Sequence, residues 1–291
     1  MKRRTFLKLA GASTASVFTA GSAAFYARSI EPSWLDITTI PLSLPHLDSA
    51  FHGYRIVQVS DIHIDNDWMG TARLVPILHL VNDLQADLIV ITGDFVTHRG
   101  EHIFQMLAAL NILSARDGVF AVLGNHDHWS GADDVRTMIQ AAGIRELRNS
   151  VHTITRNGAM LHLVGLDDLW PLGGDDTPSV WDYQPLLRQV IQPLPEQGPA
   201  ILLVHEPDFA DVAAQSKRLA LQLSGHTHGG QVRLPFVGAL ELPPLGMKYA
   251  SGMYQIDSMQ LYTNRGVGMV HPYVRFDCRP EISIFTCSSP P

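Results

Sequence analysis

The chain has 291 residues, 46% hydrophobic and 17% charged, the balance of a folded globular protein and not of a disordered one. Its 28 acidic side chains outnumber its 21 basic ones, for a formal net charge of −7, which speaks against nucleic-acid backbones and anionic surfaces as general partners. Two cysteines, Cys278 and Cys287, exclude a thiolate metal site; outside the cytoplasm they could pair as one disulfide, or they could stay as two small residues of the final strands.

The N-terminus reads MKRRTFLKLAGASTASVFTAGSAAFYARS, with Arg3 and Arg4 ahead of Thr5, Phe6, Leu7 and Lys8, then an uncharged stretch from Leu9 to Ala27. This resembles a twin-arginine export signal, and Ser22-Ala23-Ala24 supplies a small-x-small cleavage pattern. The stretch also approaches the ~20 residues that span a bilayer, so an uncleaved anchor is the alternative. Residues 1–27 are therefore expected to engage the twin-arginine export machinery as a signal peptide or membrane anchor. Residues 28–291 are expected to form one domain in the periplasm or cell envelope. Loss of the first 24 residues removes four basic and no acidic side chains, which takes the net charge to −11.

One pattern then recurs five times. Ile56 to Ser60 runs into Asp61-Ile62-His63, Leu88 to Thr92 into Gly93-Asp94, and Val119 to Leu123 into Gly124-Asn125-His126-Asp127. Ala200 to Val204 runs into His205, and Leu219 to Ser224 into Gly225-His226-Thr227-His228. Each is a short apolar run of the buried-strand kind that stops at an oxygen or nitrogen ligand. Between the early runs lie helical stripes: Leu74, Leu78, Val81 and Leu84; Ile103, Met106, Leu107, Leu110 and Leu113; Val135, Met138 and Ile139, ending at Gly143. Strands alternating with helices predict an α/β sheet whose ligands gather beyond the carboxyl ends of the strands. Further on, Val151 to Val164 reads as a hairpin around Asn157-Gly158, with His152 and His162 as strand residues and not ligands. Ala250 to Asn264 reads as a strand pair turning at Asp257-Ser258, and Glu281 to Thr286 as a last strand.

Asp61, His63, Asp94, Asn125, His205, His226 and His228 make seven carboxylate, imidazole and amide donors without sulfur, a set suited to divalent first-row metals such as Mn²⁺, Fe or Zn²⁺. Seven exceed the needs of one ion and suffice for two if a carboxylate bridges them; such a pair acidifies a shared water and stabilises charge at phosphorus. His126 would lie beside the metals, oriented by Asp127 and favoured in its protonated form, suited to protonate a leaving oxygen. Taken singly, Asp61 and Asp94 could be helix caps and Asn125 a turn residue, but that reading needs five coincidences at five strand ends.

The set Asp61-x-His63, Gly93-Asp94, Gly124-Asn125-His126-Asp127, His205 and Gly225-His226-Thr227-His228 resembles the calcineurin-like metallophosphoesterases. The resemblance implies a four-layer αββα sandwich, with Asp61, His63, Asp94 and His228 on one metal and Asp94, Asn125, His205 and His226 on the other. It makes Asp94 the bridge and His126 the proton donor, supported by Asp127. His205-Glu206-Pro207, Gly229-Gly230-Gln231, Thr263 to Gly268 and Arg279-Pro280-Glu281 resemble the branch of exported phosphodiesterases of the YaeI and YkuE type. The implied activity is hydrolysis of phosphodiesters. The alternatives are hydrolysis of a lipid-linked nucleotide pyrophosphate such as UDP-2,3-diacylglucosamine, which export disfavours, and a noncatalytic metal-dependent binding protein. Arg265 and His128 are candidate substrate contacts, with His98 and Arg99 as further polar groups near the site. Leu169-Trp170-Pro171 and Leu234-Pro235-Phe236-Val237 are stretches that could cover an apolar leaving group.

Overall fold

The structure, a computed structural model, describes residues 21–100, 105–173 and 177–289. Most of the expected signal or anchor, and Ile103 of the second helical stripe, lie outside the described residues. No described helix is long and apolar enough to cross a membrane.

All five apolar runs are strands: β2 (Arg55–Val59), β3 (Leu88–Thr92), β4 (Val119–Val122), β8 (Ala200–Leu203) and β9 (Leu221–Ser224). They fall into two six-stranded sheets. In the first, the order is β1 (Asp36–Ser43), β14 (Glu281–Ser288), β2, β3, β4, β5 (Arg145–Glu146). In the second it is β12 (Gly252–Ile256), β13 (Met259–Thr263), β9, β8, β7 (Ala159–Gly165), β6 (Ser150–Arg156). β2, β3 and β4 run parallel, as do β7, β8, β9 and β13, so each sheet delivers its ligand-bearing loops to one end. The expected hairpins are β6 with β7 and β12 with β13.

The two-residue alternation of a strand sorts its side chains between layers. Along β3, Ile89 and Ile91 face an outer core with Leu74, Leu78 and Val81 of α1 (Thr71–Asp83) and Val135 and Ile139 of α2 (Asn125–Ala141). Leu88 and Val90 face an inner core, where they join Leu161, Ile201, Leu203 and Leu223 of the other sheet. Beyond that sheet a third core holds Leu202 and Val164 against Leu187 and Val190 of α3 (Gln184–Ile191) and Val212 of α4 (Ala210–Gln215). Three cores between four layers make the αββα sandwich, and each fully buried Leu, Ile or Val in them contributes about 1.5–3 kcal/mol. Of the helix expected over Ile103 to Leu113, the described part is α-helical at residues 105–106 and continues as a 3-10 helix at Leu107–Ile112. Its apolar spacing of three, Leu107, Leu110 and Leu113, matches that tighter turn, and Asn82 of α1 holds its end by bonding the Ile112 carbonyl and the Ser114 amide.

The sheets are also joined by a buried polar bridge at their carboxyl end. The Gln58 amide donates to Thr92 Oγ1 at 2.9 Å in its own sheet and to the Ser224 carbonyl at 2.9 Å in the other. This fixes the end of β9 against the ends of β2 and β3, directly beneath the loops that carry the candidate ligands.

Candidate metal centre

Past the last residues of β2 and β3 the main chains go on pairing, with the Asp61 amide on the Gly93 carbonyl at 3.0 Å and the His63 amide on the Asp94 carbonyl at 3.0 Å. That pairing holds a strained backbone. Asp61 (φ 50°), His63 (φ 49°), Asp94 (φ 55°), His226 (φ 73°) and His228 (φ 51°) all occupy the left-handed region, at about 1–3 kcal/mol each for residues with a Cβ. Two glycines make the convergence possible. A Cβ at Gly225 would stand 1.9 Å from Ser60 Oγ, and one at Gly124 would stand 2.3 Å from Asp94 Oδ1.

The seven expected donors come together at the shared end of the two sheets, all buried. Asp94 Oδ2 lies 3.4 Å from His63 Nε2 and 3.2 Å from His205 Nε2. His228 Nε2 lies 3.0 Å from His63 Nε2 and 3.4 Å from Asp61 Oδ1. Donor atoms of Asp61, His63 and His228 form one cluster within 4.8 Å, and those of Asp61, Asp94 and His205 another. The backbone fixes two of the rings. His205 Nδ1–H donates to the Thr92 carbonyl at 2.7 Å and His226 Nε2–H to the Pro244 carbonyl at 2.7 Å, which turns the opposite nitrogen of each ring toward the donor cluster. Asn125 Oδ1 and His205 Nε2 are buried without a hydrogen-bond partner, the condition of atoms that await a cation.

The electrostatics separate His226 and His228, held neutral, from His205, whose proton a bound cation would displace. Burial, reinforced by the His205 charge, pushes His226 down to about 3, and burial with His63 nearby pushes His228 well below the ordinary histidine value, so both rings are neutral ligands at pH 7. Burial alone would raise Asp94, but His205 and His126 outweigh it and hold the carboxyl well below its usual range. Burial opposes charge on His205 as well, yet Asp94 and Asp61 raise it well above the ordinary value. A site this rich in compensated anion and bare imidazole nitrogen, with oxygen and nitrogen donors and no thiolate, fits divalent cations.

Other expectations are corrected. Asp127 does not touch the His126 ring: its carboxylate accepts from the Phe95 amide at 2.8 Å, the Val96 amide at 3.2 Å and the Gly124 amide at 3.0 Å. It caps the first turn of α2 and ties that turn to the loop after β3, while burial and the Asp94 charge push its carboxyl up to about 7. His126 is oriented by main chain, Nδ1–H to the Thr97 carbonyl at 2.9 Å, and burial lowers its pKa where the sequence suggested a raised one. His128 bonds Asp167 at 2.8 Å, in an ion cluster with Arg136 and Arg148 and away from the cleft. Arg99 pairs with Asp134 at the surface. Of the two readings left open for the cysteines, the unpaired one holds: Cys278 and Cys287 are buried free thiols.

Arg265 is likewise turned from the site. Its Nε donates to Glu281 Oε2 at 2.9 Å and Nη2 to Asp36 Oδ2 at 3.0 Å, joining β14, β1 and the loop after β13. Glu281 is 2% exposed, so Arg265→Ala strands a buried carboxylate and is expected to cost about 3 kcal/mol in chemical denaturation, with KM for a phosphodiester unchanged. A raised KM with wild-type stability would return Arg265 to the substrate.

Above the donors opens a cleft of about 540 Å³, floored by Asp94, Asn125, His126, His226 and His228 and walled by Trp129, Trp170, Leu240, Leu242, Pro243 and Val270. Trp170 is placed by its neighbours: its amide donates to Asp168 Oδ2 at 2.9 Å, and the Leu169 amide to Glu206 Oε1 at 3.2 Å. Burial and the Glu206 charge push Asp168 well above the carboxylate range. Trp129 was legible and missed: it stands one helical turn after Asn125, on the same face of α2. Phe236 of the second aromatic stretch does not line the cleft but stands in solvent.

A sequence model of the Calcineurin-like phosphoesterase family matches residues 54–230. The chain is 37% identical to the uncharacterized metallophosphoesterase YkuE of Bacillus subtilis, across 99% of this chain and 98% of that one. It is 30% identical to the phosphodiesterase YaeI of Escherichia coli, across 98% of each. To the UDP-2,3-diacylglucosamine pyrophosphatase LpxG of Chlamydia trachomatis it is 27% identical, across 90% of this chain and 92% of that one.

Proposed function

Because the chain belongs to the calcineurin-like phosphoesterases, and is a metal-dependent phosphoester hydrolase, we propose that it is a phosphodiesterase with a two-cation centre. The observation that carries this reading is the position of Asp94 Oδ2, within 3.4 Å of His63 Nε2 and 3.2 Å of His205 Nε2, where one carboxylate serves both halves of the donor set. Asp61, His63, Asp94 and His228 would hold one ion and Asp94, Asn125, His205 and His226 the other, with Mn, Fe and Zn the metals of that chemistry. When bound, the pair supplies an acidified water and neutralises charge on the phosphate. Around it the chain's own groups set the geometry. The Thr92 and Pro244 carbonyls hold the His205 and His226 rings in the ligating tautomer. With Nδ1 committed to the Thr97 carbonyl, His126 works through Nε2. An anionic phosphate in the cleft favours the imidazolium, which places a proton at Nε2 for the departing oxygen.

The wall of Trp129, Trp170, Leu240 and Leu242 supports a substrate with an apolar or aromatic group beside its phosphate. It also keeps a second reading open, a lipid-linked nucleotide pyrophosphate, which the likeness to LpxG supports. The chain is proposed to reach the cell envelope by twin-arginine export through residues 1–27.

Four substrates on metal-reconstituted protein test the reading: bis-p-nitrophenyl phosphate, p-nitrophenyl phosphate, a cyclic nucleotide and a UDP-sugar lipid. The diester is expected to be cut fastest, and a strong chelator to remove at least about 99% of the turnover, restored by Mn²⁺. Faster cleavage of the UDP-sugar lipid would replace the first reading with the second.

A further inference from the structure

The turn that follows the last candidate ligand has an unusual surface. β10 (Arg233–Leu234) and β11 (Gly238–Ala239) form a two-stranded hairpin whose tip stands clear of the sandwich. Residues 234–240, LPFVGAL, carry no charge, and within them Phe236 is 110% exposed, Val237 69%, Leu240 57% and Leu234 40%. Four large apolar side chains turned to water within seven residues form a patch with a purpose, since scattered singly they would need no explanation. The hairpin is built to hold that exposure. The Val237 amide bonds the Leu234 carbonyl at 3.1 Å, the Leu240 amide bonds the Val232 carbonyl at 3.1 Å, and the Cβ of Ala239 leaves no room for a side chain at Gly230.

A second observation says what covers it. The Arg233 amide at the hairpin base bonds the Phe276 carbonyl at 2.8 Å, and Val232 bridges to Phe276. On the other side of that segment, the Arg275 amide bonds the Ala27 carbonyl at 2.8 Å and the Tyr26 ring meets the Phe276 ring edge-on at 6.3 Å. The chain therefore enters the fold beside the hairpin. In the sequence, the point of entry is preceded by the uncharged run from Leu9 to Ala27, itself preceded by Lys2, Arg3, Arg4 and Lys8. Phe25, at the head of this turn, is 63% exposed.

We propose that the hairpin Leu234–Leu240 is a membrane-docking wedge that seats the mouth of the cleft on a lipid bilayer, on the side where Tyr26 and Ala27 enter the fold. The partner is a bilayer and not a polar macromolecule, because a tip without a charge or a free side-chain hydrogen-bonding group offers only apolar burial. An acidic protein gains nothing from the headgroup charge, so entry depends on Phe236, Val237 and Leu234 reaching the acyl boundary. Leu240 joins wedge to cleft, since it is both on the hairpin's return and in the cleft wall. Resting on the phosphodiesterase reading, this names the substrate class: an amphiphilic phosphodiester taken from the membrane, its phosphate over the metal centre and its apolar part along Trp129, Trp170 and Leu240.

The test uses the full chain in phosphatidylcholine–phosphatidylglycerol vesicles. Cys278 and Cys287 are 1% exposed, so a fluorophore attaches selectively to an added surface thiol, Phe236→Cys in one variant and Lys217→Cys in another. Lys217 precedes β9 and so stands at the opposite end of the sheet from the ligands. Spin-labelled lipid is expected to quench the fluorophore at 236 by about half or more and to leave that at 217 unchanged. Equal response at the two positions, or none at 236, overturns the proposal. So does a change at 236 that follows protein concentration without vesicles, which would assign the patch to a second copy of the chain. The double variant Phe236→Ser with Val237→Ser is expected to cut vesicle-embedded diester about tenfold more slowly, with soluble bis-p-nitrophenyl phosphate cut at the wild-type rate. Equal loss on both substrates overturns it. Failure to cut any phosphodiester would instead remove the proposed function, and the quenching pattern would still decide the docking.

Discussion

Asp94→Asn is expected to empty the metal centre and lower phosphodiester turnover by about 10²–10³-fold or more, the scale of losing one preorganised electrostatic partner. The substitution keeps the shape of the side chain, which matters because Gly124 leaves no slack against Asp94 Oδ1. It removes the charge. Asp94 is ionised because His205 and His126 face it in a buried pocket, and its Oδ2 lies within reach of both His63 Nε2, at 3.4 Å, and His205 Nε2, at 3.2 Å. A carboxamide presents one acceptor and one donor there, and the donor would confront an imidazole nitrogen or a cation. Metal analysis after dialysis is expected to show most of the bound divalent metal lost, with the far-ultraviolet circular dichroism of the wild type retained. Full metal content at wild-type turnover would remove Asp94 as the shared ligand and, with it, the two-cation reading.

The sandwich was legible where periodicity is local. β3 and β8 alternate between two cores and both sides are apolar, so their sequences read as strands with no help from neighbours. The ligand loops were legible for the same reason: each begins where such a run meets a polar residue. β1 was not. Its residues alternate between half-buried and exposed, Pro41 interrupts it, and it is a strand because it lies at the sheet edge beside β14, more than two hundred residues away. The misread polar residues share one cause, which is that sequence adjacency stood in for contact. Asp127 follows His126 but turns to the amides of Phe95, Val96 and Gly124, and Arg265 sits among glycines but turns to Glu281 and Asp36. Arg275 was invisible altogether. In its fully buried guanidinium, Nη1 donates to the Cys278 carbonyl and Nη2 to those of Arg265, Gly266 and Gly268, a cage made only by loop packing, while Nε is left without a partner.

His126→Ala and Asp127→Ala are expected to fail in opposite ways. His126 is partly exposed at the cleft floor and makes one side-chain bond to the Thr97 carbonyl, so its loss is expected to leave the thermal midpoint within about 2 °C and the metal content intact. Turnover is expected to fall by about 10²–10⁴-fold, the contribution of a positioned general acid, and least on esters whose leaving group needs no proton. Asp127→Ala instead leaves three buried amides without an acceptor, at about 1–3 kcal/mol each, and is expected to lower stability by about 3–5 kcal/mol. At roughly 2–4 °C per kcal/mol for a domain of this size, that is a drop of about 10 °C. Metal affinity is expected to weaken with it, because the Asp127 carboxylate joins the loop after β3, which carries Asp94, to the turn that carries Asn125. The double variant separates this from a proton relay. If the two residues work apart, their effects on log turnover add; if Asp127 acts through the imidazole, its removal changes nothing further once His126 is gone. Melting curves and leaving-group dependence on the same four proteins distinguish the cases, and the geometry, with no bond between the two side chains, selects additivity.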